Sequence, residues 1–247
     1  VEGEVTQSFT MNADQQWLLR GLVKIGNGTD ETVLTIEPGA EILGEDKDAA
    51  LAILQNSKMY AEGTKQSPIV FSSARMEGSR MAGDWGGLII HGKAPINNCD
   101  GENCSSQSEV GLPYGGNAPT DDSGVLRYVR IEFAGSTFSV ENKLDGIGLN
   151  GVGSGTTIEH LQVHRTDSDG IAIEGGLINL KYVLVTGARN DSIDWTKGWQ
   201  GMAQFMVIQK YPSTGDAGLQ GENNNVDFNA EPRSQPTLAN LSVIGIY

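Results

Sequence analysis

The stretch Gly146-Ile-Gly-Leu-Asn-Gly151 decides the fold because it recurs along the chain. It is anticipated by Gly87-Leu-Ile-Ile-His-Gly92, repeated as Gly170-Ile-Ala-Ile-Glu-Gly175, and returns degraded as Ser192-Ile-Asp-Trp-Thr-Lys-Gly198. Each copy is followed by a second alternating segment. These are Leu126-Arg-Tyr-Val-Arg-Ile131, Ile158-Glu-His-Leu-Gln-Val163, Leu180-Lys-Tyr-Val-Leu-Val185 and Ala203-Gln-Phe-Met-Val-Ile208, with Leu238-Ala-Asn-Leu-Ser-Val243 closing the chain. Self-similarity with a period in the twenties is the signature of a solenoid. Asp145, Asp169, Asp191 and Asp216 mark that period, with spacings of 24, 22 and 25.

Helical repeats run longer, at roughly 33 to 47 residues. Leucine-rich repeats have a compatible length, but their Leu-x-x-Leu-x-Leu pattern and asparagine column are missing. Each copy instead reads as two short strands of period 2 separated by turn-forming residues. Val129, Leu161, Val183, Met206 and Leu241 form one predicted inward column, and Ile131, Val163, Val185, Ile208 and Val243 the next. Stacked this way they bury a continuous apolar core, at about 25 cal/mol per Å². The expectation is an all-β, right-handed parallel β-helix, its hand taken from that of parallel crossovers. Upstream copies at Leu34, Ala50 and Pro68 bring the expected count to about seven coils over a single domain, residues 1–247.

Composition agrees. The chain has 33 glycines for turns, and aromatic residues make up only 6% of it, as suits a narrow core of stacked Val, Ile and Leu. A net charge of −14 disfavours nucleic acid and anionic membrane surfaces as partners. No apolar run approaches the ~18 to 20 residues of a membrane span. The absence of methionine at Val1 fits removal of a signal peptide or lipoprotein leader, and equally a boundary of the sequence. Cys99 and Cys104 lie close together in a Gly- and Ser-rich loop with no His or further Cys nearby, so a short loop disulfide and an oxidising compartment are expected. Localisation is therefore expected to be extracellular or at the cell surface.

Three stretches interrupt the repeat: about 92–123, which holds the cysteine pair, 138–144, and the Asn-rich 221–235. Function on solenoids tends to sit in such insertions. Among polar features, the column Asp145, Asp169, Asp191 and Asp216 is the most specific, joined by Asp167 and Asp194. Stacked carboxylates repel unless a cation or hydrogen-bond donors intervene. Three readings stand: a calcium site on the four column residues, acid/base catalysis on a polysaccharide, and turn-capping by main-chain N–H groups. No other cofactor is expected. Arg165, Arg189, His164 and Lys210 fall beside these carboxylates, either as a uronate-neutralising lyase cluster or as coil-to-coil ion pairs.

Register puts Trp195 inward, on the column of Leu149 and Ile173, and leaves Trp199 in a turn as a sugar-stacking surface residue. Trp85 is expected to cover a coil corner. His160 shares a corner stack with Tyr128, Tyr182, Phe205 and Asn240, and His91 stands alone; no Ser-His pairing is expected.

Asp84-Trp-Gly-Gly-Leu-Ile-Ile-His-Gly-Lys-Ala-Pro95, Leu126-Arg-Tyr-Val-Arg-Ile-Glu-Phe-Ala-Gly135, the run Gly146 to His164, and Asp191-Ser-Ile-Asp-Trp-Thr-Lys-Gly-Trp199 resemble exported surface lipoproteins of Gram-negative bacteria with a pectate-lyase-like β-helix. The resemblance spans roughly Leu34 to Ile246. It implies the right-handed β-helix and export to the envelope, and it implies no reaction. The ordered catalytic signatures of polygalacturonases and pectate lyases are not found in the chain.

Three functions follow as expectations. The first is a non-catalytic surface β-helix binding a glycan or a surface protein through Asp167, Asp169, Asp191, Asp194, Trp199, Arg165 and Arg189. The second is a polysaccharide lyase or hydrolase with Asp169 and Asp191 as paired carboxylates and Arg189 as charge neutraliser. The third is a structural subunit that self-associates through an open apolar coil end near Leu238 to Tyr247.

Overall fold

The computed structural model describes residues 1–98, 105–138, 142–212 and 215–245. Among the described residues eighteen strands form one continuous parallel ladder wound as a right-handed β-helix, and a separate two-stranded antiparallel hairpin pairs Ser106–Gln107 with Pro113–Tyr114. Among the described residues the strands stack into eight coils. That is one more than the repeat suggested, because the first coil (Glu2–Val5, Phe9–Met11 and the start of Gln16–Ile25) lacks the later phrases.

Each coil has three faces. The first carries Gly87–His91, Ile147–Asn150, Ile171–Glu174 and Ile193–Thr196, paired directly one on the next. The second alternating segment supplies the other two. Gly124–Glu132, Thr157–His164, Asn179–Thr186, Met202–Gln209 and Thr237–Ile244 each bend midway. The bend is a single left-handed residue: Tyr128 (φ 50°), His160 (55°), Tyr182 (58°), Phe205 (59°) and Asn240 (56°). For residues with a Cβ, this conformation costs roughly 1–2 kcal/mol. Stacking of the side chains offsets it. Ring centroids are 4.2 Å apart for Tyr128–His160, 4.6 Å for His160–Tyr182 and 5.2 Å for Tyr182–Phe205, with planes within 14°.

The expected inward columns are the observed ones: Val129, Leu161, Val183, Met206 and Leu241 pair in register, as do Ile131, Val163, Val185, Ile208 and Val243. One buried cluster runs from Met11 to Ile208. Trp85 covers a corner as expected, fully buried and donating Nε1–H to the Glu132 carbonyl at 2.8 Å. Gly44 makes this possible, since a Cβ there would lie 2.4 Å from the Trp85 Cβ. In the last coil burial falls away: Leu238 and Leu241 are half-buried, and Val243 and Ile244 are 51% and 49% exposed.

Candidate functional site

The aspartate column forms a hydrogen-bonded ladder. Asp145 Oδ1 accepts the Asp169 main-chain N–H at 3.0 Å, Asp169 Oδ1 accepts that of Asp191 at 2.8 Å, and Asp191 Oδ1 accepts that of Ala217 at 2.7 Å. Asp169 also takes the Asn190 carboxamide at 2.7 Å. Asp216 is exposed beyond the last rung. This is turn chemistry: each carboxylate fixes the entry to the next first-face strand. Burial raises the pKa values of Asp145, Asp169 and Asp191, and the neighbouring Asp169 raises Asp145 further. Lys210, itself buried, donates to the carbonyls of Ala188 (2.9 Å) and Asn190, so its charge lies beside the ladder. Among the described residues no three His, Cys, Asp or Glu converge to hold a metal ion.

The two carboxylates expected to pair for catalysis, Asp169 and Asp191, are consecutive rungs, with Asp191 only 2% exposed. Arg189 does not neutralise either; it pairs with Asp167, which Lys143 also bridges at 2.9 Å. Asp194 differs. It stands on the outward side of the first face, level with Ala172 and Gln220. Burial, and then the carboxylates of Asp169 and Asp191, push its pKa up to about 7, and its Oδ1 is buried without a hydrogen-bond partner.

Trp199 corrects an expectation. Placed by sequence in an exposed turn, it is fully buried, with Nε1–H donated to the Ile178 carbonyl at 3.0 Å. Its apolar bulk closes the core at that corner, so it cannot stack on a ligand. Trp195 faces inward as register required, half-buried against the same cluster.

Arg165 and Arg189 do reach a surface concavity. A trough of about 640 Å³ is lined by Arg80, Arg165, Arg189, Met81, Tyr211 and Gly187 among others. Arg189 is shared with a second depression that includes Lys143 and Asp167, and Arg80 and Arg165 with a third that includes His164, Phe133, Glu77 and Glu132. The three form one lane along successive coils. Its floor follows from a small residue: a Cβ on Gly187 (φ 67°) would lie 2.6 Å from the Tyr211 ring, so only glycine lets that ring lie down. The Arg165 guanidinium sits 5.6 Å from the Tyr211 ring centre. Arg165 is exposed and has no carboxylate partner among the described residues. His164 lies beside it, bonded through Nδ1 to Thr186 Oγ1 at 2.7 Å, with its pKa lowered by burial and by Arg165.

The described parts of the first insertion, residues 92–98 and 105–123, fold over the outward side of the first face. Val110 and Leu112 pack on the cluster of Ala50, Ala52 and Ile89. Tyr114, fully buried, donates its hydroxyl to Glu174, while Lys197 donates to Glu174 Oε1 at 2.6 Å and to the Tyr114 oxygen at 3.0 Å. His91, expected to stand alone, pairs with Ser108: Nε2 lies 2.8 Å from Ser108 Oγ, and Nδ1 3.2 Å from the Ile53 carbonyl. A carbonyl only accepts, so Nδ1 carries the proton and Nε2 accepts from the serine. Burial lowers the His91 pKa to about 4, keeping the ring neutral. No spacing signal announces these contacts, because the insertion lies outside the repeat. The cysteine pair, Cys99 and Cys104, falls outside the described residues.

The model of the pectate-lyase-like beta helix domain family matches residues 3–247, and the chain belongs to that family. No curated protein and no solved structure matches it.

Proposed function

We propose that the chain is an exported, cell-surface β-helix that binds an acidic glycan, one bearing carboxylate or sulfate groups, in the arginine-lined lane. Arg165 carries this reading. In a chain of net charge −14 its guanidinium is exposed over an aromatic ring and forms no ion pair among the described residues, with Glu77 and Glu132 sharing one of its depressions. A planar guanidinium suits the bidentate recognition of carboxylate and sulfate oxygens. Arg80 and Arg189 flank it, and Tyr211 offers a ring against which a sugar face can pack. The aspartate ladder supports binding over turnover, because Oδ1 of Asp145, Asp169 and Asp191 is in each case committed to a main-chain N–H.

Calorimetric titration with oligogalacturonate and with a sulfated oligosaccharide tests the proposal. Binding should weaken steeply between low and physiological salt, and Arg165→Ala should lower affinity tenfold or more without changing the melting temperature. Salt-independent binding, or full affinity in Arg165→Ala, would overturn it.

Asp194 favours a second reading, polysaccharide cleavage. A carboxyl that holds its proton near neutral pH, beside Glu174 on an outward face, is equipped as a general acid. Release of reducing or unsaturated ends that vanishes in Asp194→Asn would establish it; no release from any tested polysaccharide would exclude it.

A further inference from the structure

Ala50–Ile53 and Gly87–His91 pair directly on adjacent coils, and in the turns that follow them three side chains of complementary chemistry meet. Lys93 Nζ donates to Asn56 Oδ1 at 2.6 Å, and Asp121 Oδ1 lies 3.8 Å from the same nitrogen. Coulomb attraction draws a lysine to a carboxylate in reach, yet here the nearer group is a carboxamide. Asp122 does not compete for the lysine, because Lys58 at 2.7 Å and the Gly124 N–H at 2.8 Å occupy its two oxygens.

Each of the three is held from behind. Asn56 sits at φ 64°, a left-handed conformation that asparagine tolerates, and donates Nδ2–H to the Gly28 carbonyl at 2.7 Å, which turns Oδ1 toward Lys93. Asp121 enters from the far end of the first insertion. A Cβ on Gly92 would lie 2.8 Å from Asp121 Oδ2, and one on Gly153 2.4 Å from the Asp121 main-chain nitrogen, so two glycines make room for it. The Lys93 carbonyl accepts the Ala118 N–H at 2.8 Å, and the Ala118 carbonyl accepts that of Asp121 at 3.0 Å, which ties the insertion to the main chain of Lys93 itself. The Asp121 side chain is only 9% exposed. Burial raises its pKa, and a hydrogen bond from the Lys93 main chain and the Lys93 charge offset this in part.

We infer that this triad is a self-modification site, at which Lys93 and Asn56 join through a side-chain amide bond. Fixed proximity makes an otherwise sluggish attack of an amine on a carboxamide effectively unimolecular, and a neighbouring carboxyl that both takes and returns protons supplies the acid–base catalysis. Lys93 passes a proton to the Asp121 carboxylate, and the freed lone pair on Nζ attacks Asn56 Cγ, forming the Nζ–Cγ bond. Asp121 delivers that proton, and then a second one from Nζ, to Asn56 Nδ2. The Cγ–Nδ2 bond breaks and ammonium leaves. Nζ keeps one proton in the new amide, and Asp121 ends as the carboxylate it was at the start, so no oxidant or co-reactant is needed. The depression that the three residues line, about 420 Å³, reaches solvent at the exposed Thr29 and Asp122 and gives the ammonium a way out. The product is a covalent staple between adjacent coils at the base of the first insertion.

The experiment is intact-mass spectrometry of the whole chain after reduction and denaturation, with fragmentation of a proteolytic digest. The chain should be lighter than its sequence by one ammonia, and one pair of peptides should be joined through Lys93 and Asn56. Lys93→Arg keeps the positive charge and Asp121→Asn keeps the shape of the carboxyl; each should restore the full sequence mass, whereas Lys143→Arg should keep the deficit. The inference is overturned if the parent has its full sequence mass both freshly purified and after prolonged warm incubation. It is equally overturned if the deficit survives in Lys93→Arg, if a folded Asp121→Asn links as the parent does, or if the deficit maps to a cyclised asparagine such as Asn27, which precedes Gly28, with no linked pair. The mass of the parent alone can refute the staple, whatever the variants do to folding.

Discussion

His160 offers the sharpest test of what holds the coils in register. Its ring is sandwiched between Tyr128 at 4.2 Å and Tyr182 at 4.6 Å, nearly parallel to both, while its backbone sits at φ 55°. Two opposing terms meet at one position. Each ring contact contributes about 0.5–1.5 kcal/mol, so His160→Ala, which loses both, should cost about 1–3 kcal/mol. The alanine also keeps the left-handed penalty of roughly 1–2 kcal/mol, which glycine escapes. His160→Gly should therefore be more stable than His160→Ala by about 1 kcal/mol, the reverse of their order in an ordinary strand. His160→Phe preserves both stacks and should stay close to the parent, whereas the stiff side chain of His160→Val should make it the worst of the four. Urea unfolding followed by tryptophan fluorescence, with the dependence on denaturant held constant across the series, reads the ranking. If alanine equals or exceeds glycine, the bend carries no backbone strain and the argument fails. If phenylalanine is as damaging as alanine, the ring column contributes nothing.

Three further outcomes follow from the same structure. Asp145, Asp169, Asp191 and Asp194 all have raised carboxyl pKa values, burial being the first cause. A raised folded-state pKa gives stability that is present below the unfolded value and lost as pH rises through the folded one. Asp194 should therefore pull the melting temperature down from the ordinary carboxylate range up to about pH 7 and no further above it, while buried His91, its pKa lowered to about 4, pulls the other way below pH 6.5; the difference between the parent and Asp194→Asn isolates the carboxyl, and a difference that does not change between pH 5 and pH 7 contradicts the assignment. Trp199→Ala, at a fully buried ring, should cost about 3–5 kcal/mol in a denaturant titration, and a loss under 1 kcal/mol would mean the ring is not core. Tyr114→Phe removes the hydroxyl shared by Glu174 and Lys197 and should cost about 1–3 kcal/mol, with hydrogen exchange accelerating over residues 105–114 and unchanged in the coils beneath.

The coils were legible because their signal is periodic, yet the third face was not. In each second segment the inward residues step by three at one place, Leu126 to Val129, Ile158 to Leu161, Leu180 to Val183, Ala203 to Met206 and Leu238 to Leu241, where a straight strand requires two. The skipped residue is the left-handed one, so the phase slip was the written sign of a corner. Trp199 was misread for a related reason. Beyond the strand, register no longer assigns a direction, and a tryptophan that folds back over the coil shows the same sequence as one that points to water. The His91–Ser108 and Tyr114–Glu174–Lys197 contacts were illegible altogether, since each joins a repeat position to an insertion that carries no period.

The ladder and the arginine lane divide the molecule's polar residues by the state of their hydrogen bonds. On the ladder, Asp145, Asp169 and Asp191 each find a main-chain donor on the next coil, so their conspicuous spacing serves the solenoid itself. Where the coil count is satisfied, a polar group without a partner needs another explanation. Arg165 over Tyr211 is a place where burial and charge do not account for a side chain. A β-helix whose core and ladder repeat while its arginine lane does not has separated the residues that make it fold from those proposed to hold a ligand. It follows that Arg165→Ala should weaken binding of the acidic glycan and leave stability alone, whereas Asp169→Ala, which removes the acceptor of a ladder rung, should weaken the fold and leave the lane's affinity unchanged.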